Sequence, residues 1–251
     1  MGIYRAQFAV TSKSDASPVT EADTAAEALI LTALATFAPN VPIVAEEEVA
    51  SGRIPKTAGS FFLVDPLDGT KEFIEQRGDF TVNIALIENY IPSLGVVYAP
   101  AERRLFVGDV AIGKAWSARV AADGTIGVQA PLRIRAAPKG GITAVASRSH
   151  SSGPTYEYLA QYPVLECVSR GSSLKICMVA AGEADLYPRL TPTCEWDIAA
   201  GDAVLRAAGG TLKALDGEDM LYGKEKFFNP GFVAVGDVAM LPITSFVKAC
   251  P

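Results

Sequence analysis

An α/β chain in two unlike halves is what the 251 residues predict. Three observations carry that expectation. One long stretch with helical apolar spacing leads into a run of short alternating strands, so the first half reads as helix plus antiparallel sheet. Strands and helices then alternate through the second half, as in α/β folds. Hydrophobic residues make up 49% against 20% charged, enough apolar material for a sizeable core.

The elements follow in chain order. Ser17-Pro18-Val19-Thr20-Glu21-Ala22-Asp23 reads as a loop feeding a helix, with Thr20 and Asp23 spaced as a capping box. Ala22, Ala26, Leu29, Ile30, Ala33, Leu34 and Phe37 recur at helical spacing, and Pro39-Asn40 stops the helix. Residues 41–45 form a short buried strand running into Glu46-Glu47-Glu48. Residues 60–64 form a second, ending in Asp65-Pro66-Leu67-Asp68-Gly69-Thr70, after which 71–76 is a short helix capped by Thr70. Residues 80–86 alternate, with Phe80, Val82, Ile84 and Leu86 on one face. A turn over 89–92 and strands over 94–98, 105–107 and 111–116 complete an antiparallel meander.

Composition shifts over 121–131, which divides the chain into halves at 1–125 and 126–251. In the second half, strands are expected over 142–146, 164–168, 212–215 and 232–235. Helices are expected over 155–161, 172–181, 196–208 and 243–249, the third closed by Gly209-Gly210.

Charge and motif content remove several function classes. Acidic residues outnumber basic ones 28 to 22, with no basic run, which argues against a nucleic-acid polymer as partner. No stretch approaches the ~18 apolar residues of a membrane span, and the first eight residues lack the apolar core of a signal peptide. Peripheral membrane attachment is left open. Cys167, Cys177, Cys194 and Cys250 form no C-x-x-C pair, which reads as free thiols in a reducing cytoplasm. With His150 the only histidine, a zinc site is not expected.

The chemistry concentrates in acids at element ends: Asp23, Glu46-Glu47, Asp65 with Asp68, and Asp197. Pro66 holds Asp65 extended, and the following turn lets two acids three apart converge on one point. Their oxygens and the Leu67 carbonyl suit a hard cation such as Mg²⁺. Gly69 permits the tight turn, and the backbone N–H groups of the next helix can face an anion. A metal and a phosphate would sit side by side.

Taken together, Asp23, Glu46-Glu47, Asp65-Pro66-Leu67-Asp68-Gly69-Thr70 and Trp196-Asp197-Ile198-Ala199-Ala200-Gly201 resemble the inositol monophosphatase superfamily over nearly the whole chain. Within it, Lys71-Glu72-Phe73, the 80–86 strand, Gly95-Val96-Val97-Tyr98-Ala99-Pro100, Ser147-Arg148-Ser149-His150, Gly171-Ser172-Ser173-Leu174-Lys175 and Leu186-Tyr187-Pro188-Arg189 look like the bacterial 3′(2′),5′-bisphosphate nucleotidases. The resemblance implies the layered αβαβα sugar-phosphatase sandwich and a lithium-sensitive phosphomonoesterase using two or three Mg²⁺ ions. It implies Glu46, Asp65, Asp68, Asp197 and the Leu67 carbonyl as metal ligands, with Glu47 behind them. Asp23 and Thr70 would orient or deprotonate the attacking water, and Gly69 and Thr70 would hold the scissile phosphate. Ser172, Lys175, His150 and Arg189 would line the nucleotide side.

The expected reaction is removal of the 3′-phosphate of adenosine 3′,5′-bisphosphate, giving AMP, in a cytoplasmic enzyme; homodimers are usual for the superfamily, and the residues leave the oligomeric state open. An inositol 1-phosphate or fructose 1,6-bisphosphate type sugar phosphatase of the same fold is the alternative. A non-catalytic interaction protein is a remoter one. Two departures stand out. Only about a dozen residues precede Ser14, where the superfamily begins with a longer helix, and Ala207-Ala208 stand where many members carry a Glu.

Overall fold

The computed structural model describes residues 1–5, 10–12, 18–147 and 153–243. A 3₁₀ turn (Ile3–Arg5) and an antiparallel pair, β1 (Val10–Ser12) with β2 (Pro18–Thr20), lead into α1 (Glu21–Phe37). The capping box forms as its spacing predicts: Ala22 N–H donates to Thr20 Oγ1 at 3.1 Å, and Thr20 N–H donates to Asp23 at 2.8 Å.

A seven-stranded sheet follows in sequence order: β3 (Ile43–Ala45), β4 (Ser60–Asp68), β5 (Thr81–Glu88), β6 (Ile91–Ala99), β7 (Arg104–Asp109), β8 (Lys114–Arg119) and β9 (Ala130–Pro131). β3 and β4 are parallel and the other pairs antiparallel. Two short helices leave its edge, α2 (Glu46–Ala50) after β3 and α3 (Thr70–Ile74) after β4.

The second sheet has five strands and two parallel pairings. Its chain order is β10 (Ile142–Ser147), α4 (Gly153–Leu159), β11 (Val164–Arg170), α5 (Leu174–Ala180), β12 (Leu186–Arg189), β13 (Thr193–Cys194), α6 (Glu195–Ala207), β14 (Thr211–Ala214), β15 (Phe228–Asn229) and β16 (Phe232–Val235). The spatial order is β11-β10-β12-β16-β14, while β13 and β15 pair separately. β12 escapes a reading by pattern because it is four residues long and contains Pro188, which lacks an N–H for the ladder. The expected helix over 243–249 lies, apart from Ile243, outside the described residues.

The elements stack as αβαβα. On the outer face of the first sheet, Phe62 and Val64 of β4 pack on Ile30, Leu31 and Leu34 of α1. Their neighbours Phe61 and Leu63 point the other way, into the central core with Leu174 and Ile176 of α5 and Ala199, Ala200 and Val204 of α6. With both faces covered, β4 reads as a continuous apolar run. On the far side of the second sheet, Ile142, Leu186 and Val233 pack on Tyr158 and Leu159 of α4.

Two local expectations change, and the shared face expected in β5 is now placed. Strand β8 begins at Lys114, because Val110 to Gly113 form a turn closed by Gly113 N–H to Val110 C=O. Gly69, in the left-handed region at φ 96°, is the N-cap of α3, with Thr70 its first residue. In β5 the wholly buried face is Thr81, Asn83, Ala85 and Ile87, while Val82, Ile84 and Leu86 are half-buried beneath α1. Two polar residues on the more deeply buried face mark a working surface.

Candidate active site

The site is built around one irregularity in β4. In a regular strand, residues three apart lie on opposite faces. Asp65 pairs with Asn83 and Asp68 pairs with Thr81, so three steps along β4 match two along β5. The extra residue is a β-bulge at Pro66-Leu67, and it brings both acids to the face that carries Asn83 and Thr81. Each carboxylate is anchored by backbone. Leu67 N–H donates to Asp65 Oδ1 at 2.9 Å, and Ser173 N–H donates to Asp68 Oδ2 at 2.6 Å.

Other elements bring the remaining acids. Glu46 opens α2 where β3 ends. Asp197 lies in the first turn of α6, its Oδ2 accepting from Cys194 N–H at 2.9 Å. α6 can lie this close to the sheet because the strands beneath it carry glycine. A Cβ at Gly95 would stand 2.3 Å from Ala200 O, and one at Gly108 would stand 2.4 Å from Val204 Cα. Asp23, buried in the first turn of α1, offers its Oδ1 to the Thr70 hydroxyl at 3.3 Å; the same hydroxyl lies 3.3 Å from the Leu67 carbonyl.

One cleft of about 260 Å³ gathers Glu46, Asp65, Leu67, Asp68, Gly69, Thr70 and Asp197 from this set, together with Ser172, Lys175 and Arg189. Asp23 reaches it through Thr70. Glu47 faces a separate cavity with Glu27, Glu48 and Arg53, where its N–H donates to Glu27 at 2.8 Å. His150 lies outside the described residues.

Burial and like charge dominate the electrostatics. Burial raises the Asp65 carboxyl well above the ordinary range, and the charges of Glu46, Asp68 and Asp197 raise it further. Asp197 is raised in the same way, by burial and then by Asp68 and Glu46. Asp68 is raised by burial but pulled back by Lys175. Burial lowers the Lys175 ammonium to about 8, with Asp68 opposing. Lys175 Nζ donates to Ser172 O at 2.5 Å and lies 5.3 Å from the centre of the Tyr187 ring.

Whether this set suits a divalent cation turns on its chemistry. The donors are carboxylate and carbonyl oxygens, the hard ligands Mg²⁺ takes, and several negative charges act on one buried point. As placed, no three His, Cys, Asp or Glu side chains among the described residues stand in metal-holding geometry. The donor types and charge fit Mg²⁺; the positions do not define how many ions bind.

Ser173 falls within the 172–175 segment expected on the nucleotide side, while other residues of the cleft were absent from the expected set. Ser173, buried, bonds Thr81 Oγ1 and Asn83 Oδ1, each at 2.8 Å, and so joins β5 to the start of α5. Glu72, Ser147 and Tyr187 also line the cleft. A legible signal existed for Thr81 and Asn83: two polar residues at period 2 inside an apolar strand. Ser147 and Tyr187 fall in stretches that resemble the nucleotidases, but their places in the cleft depend on the second sheet.

Comparison with known proteins agrees with this architecture. The family model described as the inositol monophosphatase family matches residues 1–238. A 3′(2′),5′-bisphosphate nucleotidase CysQ from Shigella flexneri is 46% identical over 224 residues, 89% of this chain and 87% of that protein. The protein of that name from Buchnera aphidicola is 38% identical over 93% of this chain and 87% of its own length. The crystal structure of CysQ from Bacteroides thetaiotaomicron superposes with a TM-score of 0.77 at 35% identity, covering 95% of this chain and 92% of that one. An inositol monophosphatase from Anabaena superposes at 0.68 with 26% identity, over 86% of this chain and 81% of that one. No helix among the described residues is long and apolar enough to cross a membrane, which leaves β-barrels unaddressed. The chain belongs to the inositol monophosphatase family of phosphatases.

Proposed function

We propose that this phosphatase removes the 3′-phosphate of adenosine 3′,5′-bisphosphate, giving AMP and inorganic phosphate. The observation that carries the reading is that one cleft holds both a group of acids and three cations, Lys71, Lys175 and Arg189. The first group suits metal-assisted attack on one phosphate; the second suits recognition of another. The similarity to nucleotidases named for a bisphosphate substrate supports the same choice.

In this reading Glu46, Asp65, Asp68, Asp197 and the Leu67 carbonyl hold two or three Mg²⁺ ions, with Glu47 behind Glu46. Bound there, Mg²⁺ lowers the pKa of water and neutralises charge on the phosphoryl group. Thr70, hydrogen-bonded to Asp23, orients the attacking water and draws its proton toward the buried carboxylate. The backbone N–H groups of Gly69 and Thr70 hold the scissile phosphate, and the left-handed Gly69 makes that turn possible. Ser172, Lys175 and Arg189 receive the 5′-phosphate, with His150 as a further contact. The same assignment makes the enzyme inhibited by Li⁺.

The test is phosphate release from adenosine 3′,5′-bisphosphate and from inositol 1-phosphate, side by side, at fixed Mg²⁺ with and without Li⁺. The expected result is a kcat/KM at least tenfold higher for the nucleotide, suppressed by Li⁺. Preference for the inositol ester would leave the acid cluster in its role and remove Ser172, Lys175 and Arg189 from theirs.

A further inference from the structure

The segment that carries Ser172 and Lys175 is held from outside the cleft. Its first residue, Gly171, follows β11 directly, and its N–H donates to Asp79 Oδ2 at 3.1 Å. Asp79 is buried, 3% exposed, between α3 and β5 in the first half of the chain. Its other oxygen, Oδ1, lies 3.1 Å from Arg170 Nη1, and Arg170 Nη2 pairs in turn with Glu102. Backbone approach at this point is as close as it can be: a Cβ on Gly171 would stand 2.7 Å from Asp79 O.

What Asp79 holds is a strained conformation. Ser172 takes φ +51°, which L-residues other than Asn and Asp rarely adopt. Such a residue persists only where its surroundings over-determine it. Two groups do so here. Asp79 anchors the residue before it, and the Lys175 ammonium takes the Ser172 carbonyl at 2.5 Å. Releasing the first anchor frees the carbonyl that positions the ammonium. Asp79 itself is not among the residues that line the cleft.

We propose that Asp79, braced by Arg170, is a positioning residue for substrate recognition: it locks the Gly171–Ser172 turn that presents Lys175 to the part of the substrate remote from the scissile phosphate. The inference rests on the reading of Ser172 and Lys175 as substrate-side residues. It separates two functions of the cleft. Asp65 and Asp197 are anchored by Leu67 and Cys194 N–H groups and do not depend on Asp79 for their orientation, whereas Asp68 accepts from Ser173 N–H, within the segment that Asp79 holds. Loss of Asp79 therefore acts first on recognition and reaches the acid cluster only through Asp68.

The experiment compares wild type, Asp79→Ala, Asp79→Asn and Arg170→Ala on adenosine 3′,5′-bisphosphate and on adenosine 3′-monophosphate, which lacks the second phosphate. For Asp79→Ala the expected result is a rise in KM for the bisphosphate of about tenfold with a smaller loss of kcat, shared by both substrates through Asp68, and KM for the monophosphate unchanged. Asp79→Asn retains an acceptor for Gly171 N–H and loses the ion pair, so its KM falls between; Arg170→Ala matches it. Loss of kcat on both substrates with no rise in KM for the bisphosphate, or no change on either, overturns the proposal. Amide hydrogen exchange across residues 170–175 gives a second readout that needs no substrate. It is expected to quicken at least tenfold in Asp79→Ala while the 65–68 amides hold their rate. Unchanged exchange overturns the anchoring. Wild type inactive on both nucleotides, with exchange quickened in Asp79→Ala, would refute the nucleotide reading and keep the anchor.

Discussion

Helix α6 carries three acids, Glu195 and Asp202 buried and Asp197 half-buried, that meet opposite fates. Asp202 faces Arg206 at 2.8 Å and the Tyr222 hydroxyl at 2.8 Å. Glu195 accepts from Gly223 and Lys224 backbone N–H groups and from Lys224 Nζ at 2.9 Å. Asp197, between them in sequence, chiefly faces other acids: Asp68 and Glu46. A buried carboxylate matched by a cation belongs to the scaffold, because its charge is neutralised within the chain. One crowded by like charges costs the fold free energy and is kept for what it binds. The same helix thus serves both purposes, and the N-terminal turn is where it opens to the cleft.

That contrast can be broken by one substitution made twice. Asp65→Asn removes a proposed metal ligand from the crowded cluster and is expected to lower kcat/KM by on the order of 10³-fold at saturating Mg²⁺. Thermal unfolding of the same variant without metal should show no loss of Tm, because the carboxylate it replaces is disfavoured in the fold. Activity near wild type would remove Asp65 from the ligand set.

Asp202→Asn should do the reverse. It leaves Arg206 without its carboxylate beneath the core, at a cost of about 3 kcal/mol, or roughly 6–12 °C in Tm. The kcat of the folded fraction should stay within a few-fold of wild type. If denaturant unfolding finds Asp202→Asn as stable as wild type, the neutralised pair is not part of the scaffold.

A smaller effect tests the seat of α6. Gly95→Ala puts a methyl where Ala200 O stands 2.3 Å away, and overpacking of this kind costs about 1–3 kcal/mol. Because α6 carries Asp197, the variant should lose both stability and Mg²⁺ affinity, measured by urea unfolding and by metal titration of activity. Loss of one without the other would uncouple the helix from the site.

The smallest effect is in pH dependence. Burial brings the Lys175 ammonium down to about 8. Above that pH the native state holds fewer protons than the unfolded chain, so this group makes stability rise with pH from about 8 toward its ordinary value. Recognition moves the other way. The cation is lost, and KM for a bisphosphate substrate should climb several-fold between pH 7.5 and 9 (assay values). Lys175→Met should flatten that climb; a parallel climb in the variant would assign it elsewhere.

Much of this was legible in the residues. The capping box of Thr20 and Asp23, the helix of Glu21–Phe37 and the helix of Glu195–Ala207 declare themselves through spacing and end signals, which are local properties. The order of acids along the chain marks the family for the same reason. The face of β5 that would be buried deepest was not legible, since both faces carry apolar residues and only the layers above and below choose between them. Nor was the role of Asp79, whose partners Arg170 and Gly171 lie some ninety residues on.

The sequence by itself determined the longer elements, the order of the acids and the family, because periodicity, capping and motif order act over a few residues and need no partner. The tertiary structure decided the rest. It decided that a bulge at Pro66-Leu67 puts Asp65 and Asp68 on one face, since strand register is set by the neighbouring strand. It decided that α6 approaches the sheet at Gly95 and Gly108, and that Lys175 shares a cleft with Asp68. Those arrangements depend on which distant surfaces can be buried together without a clash, and only the packed chain answers that.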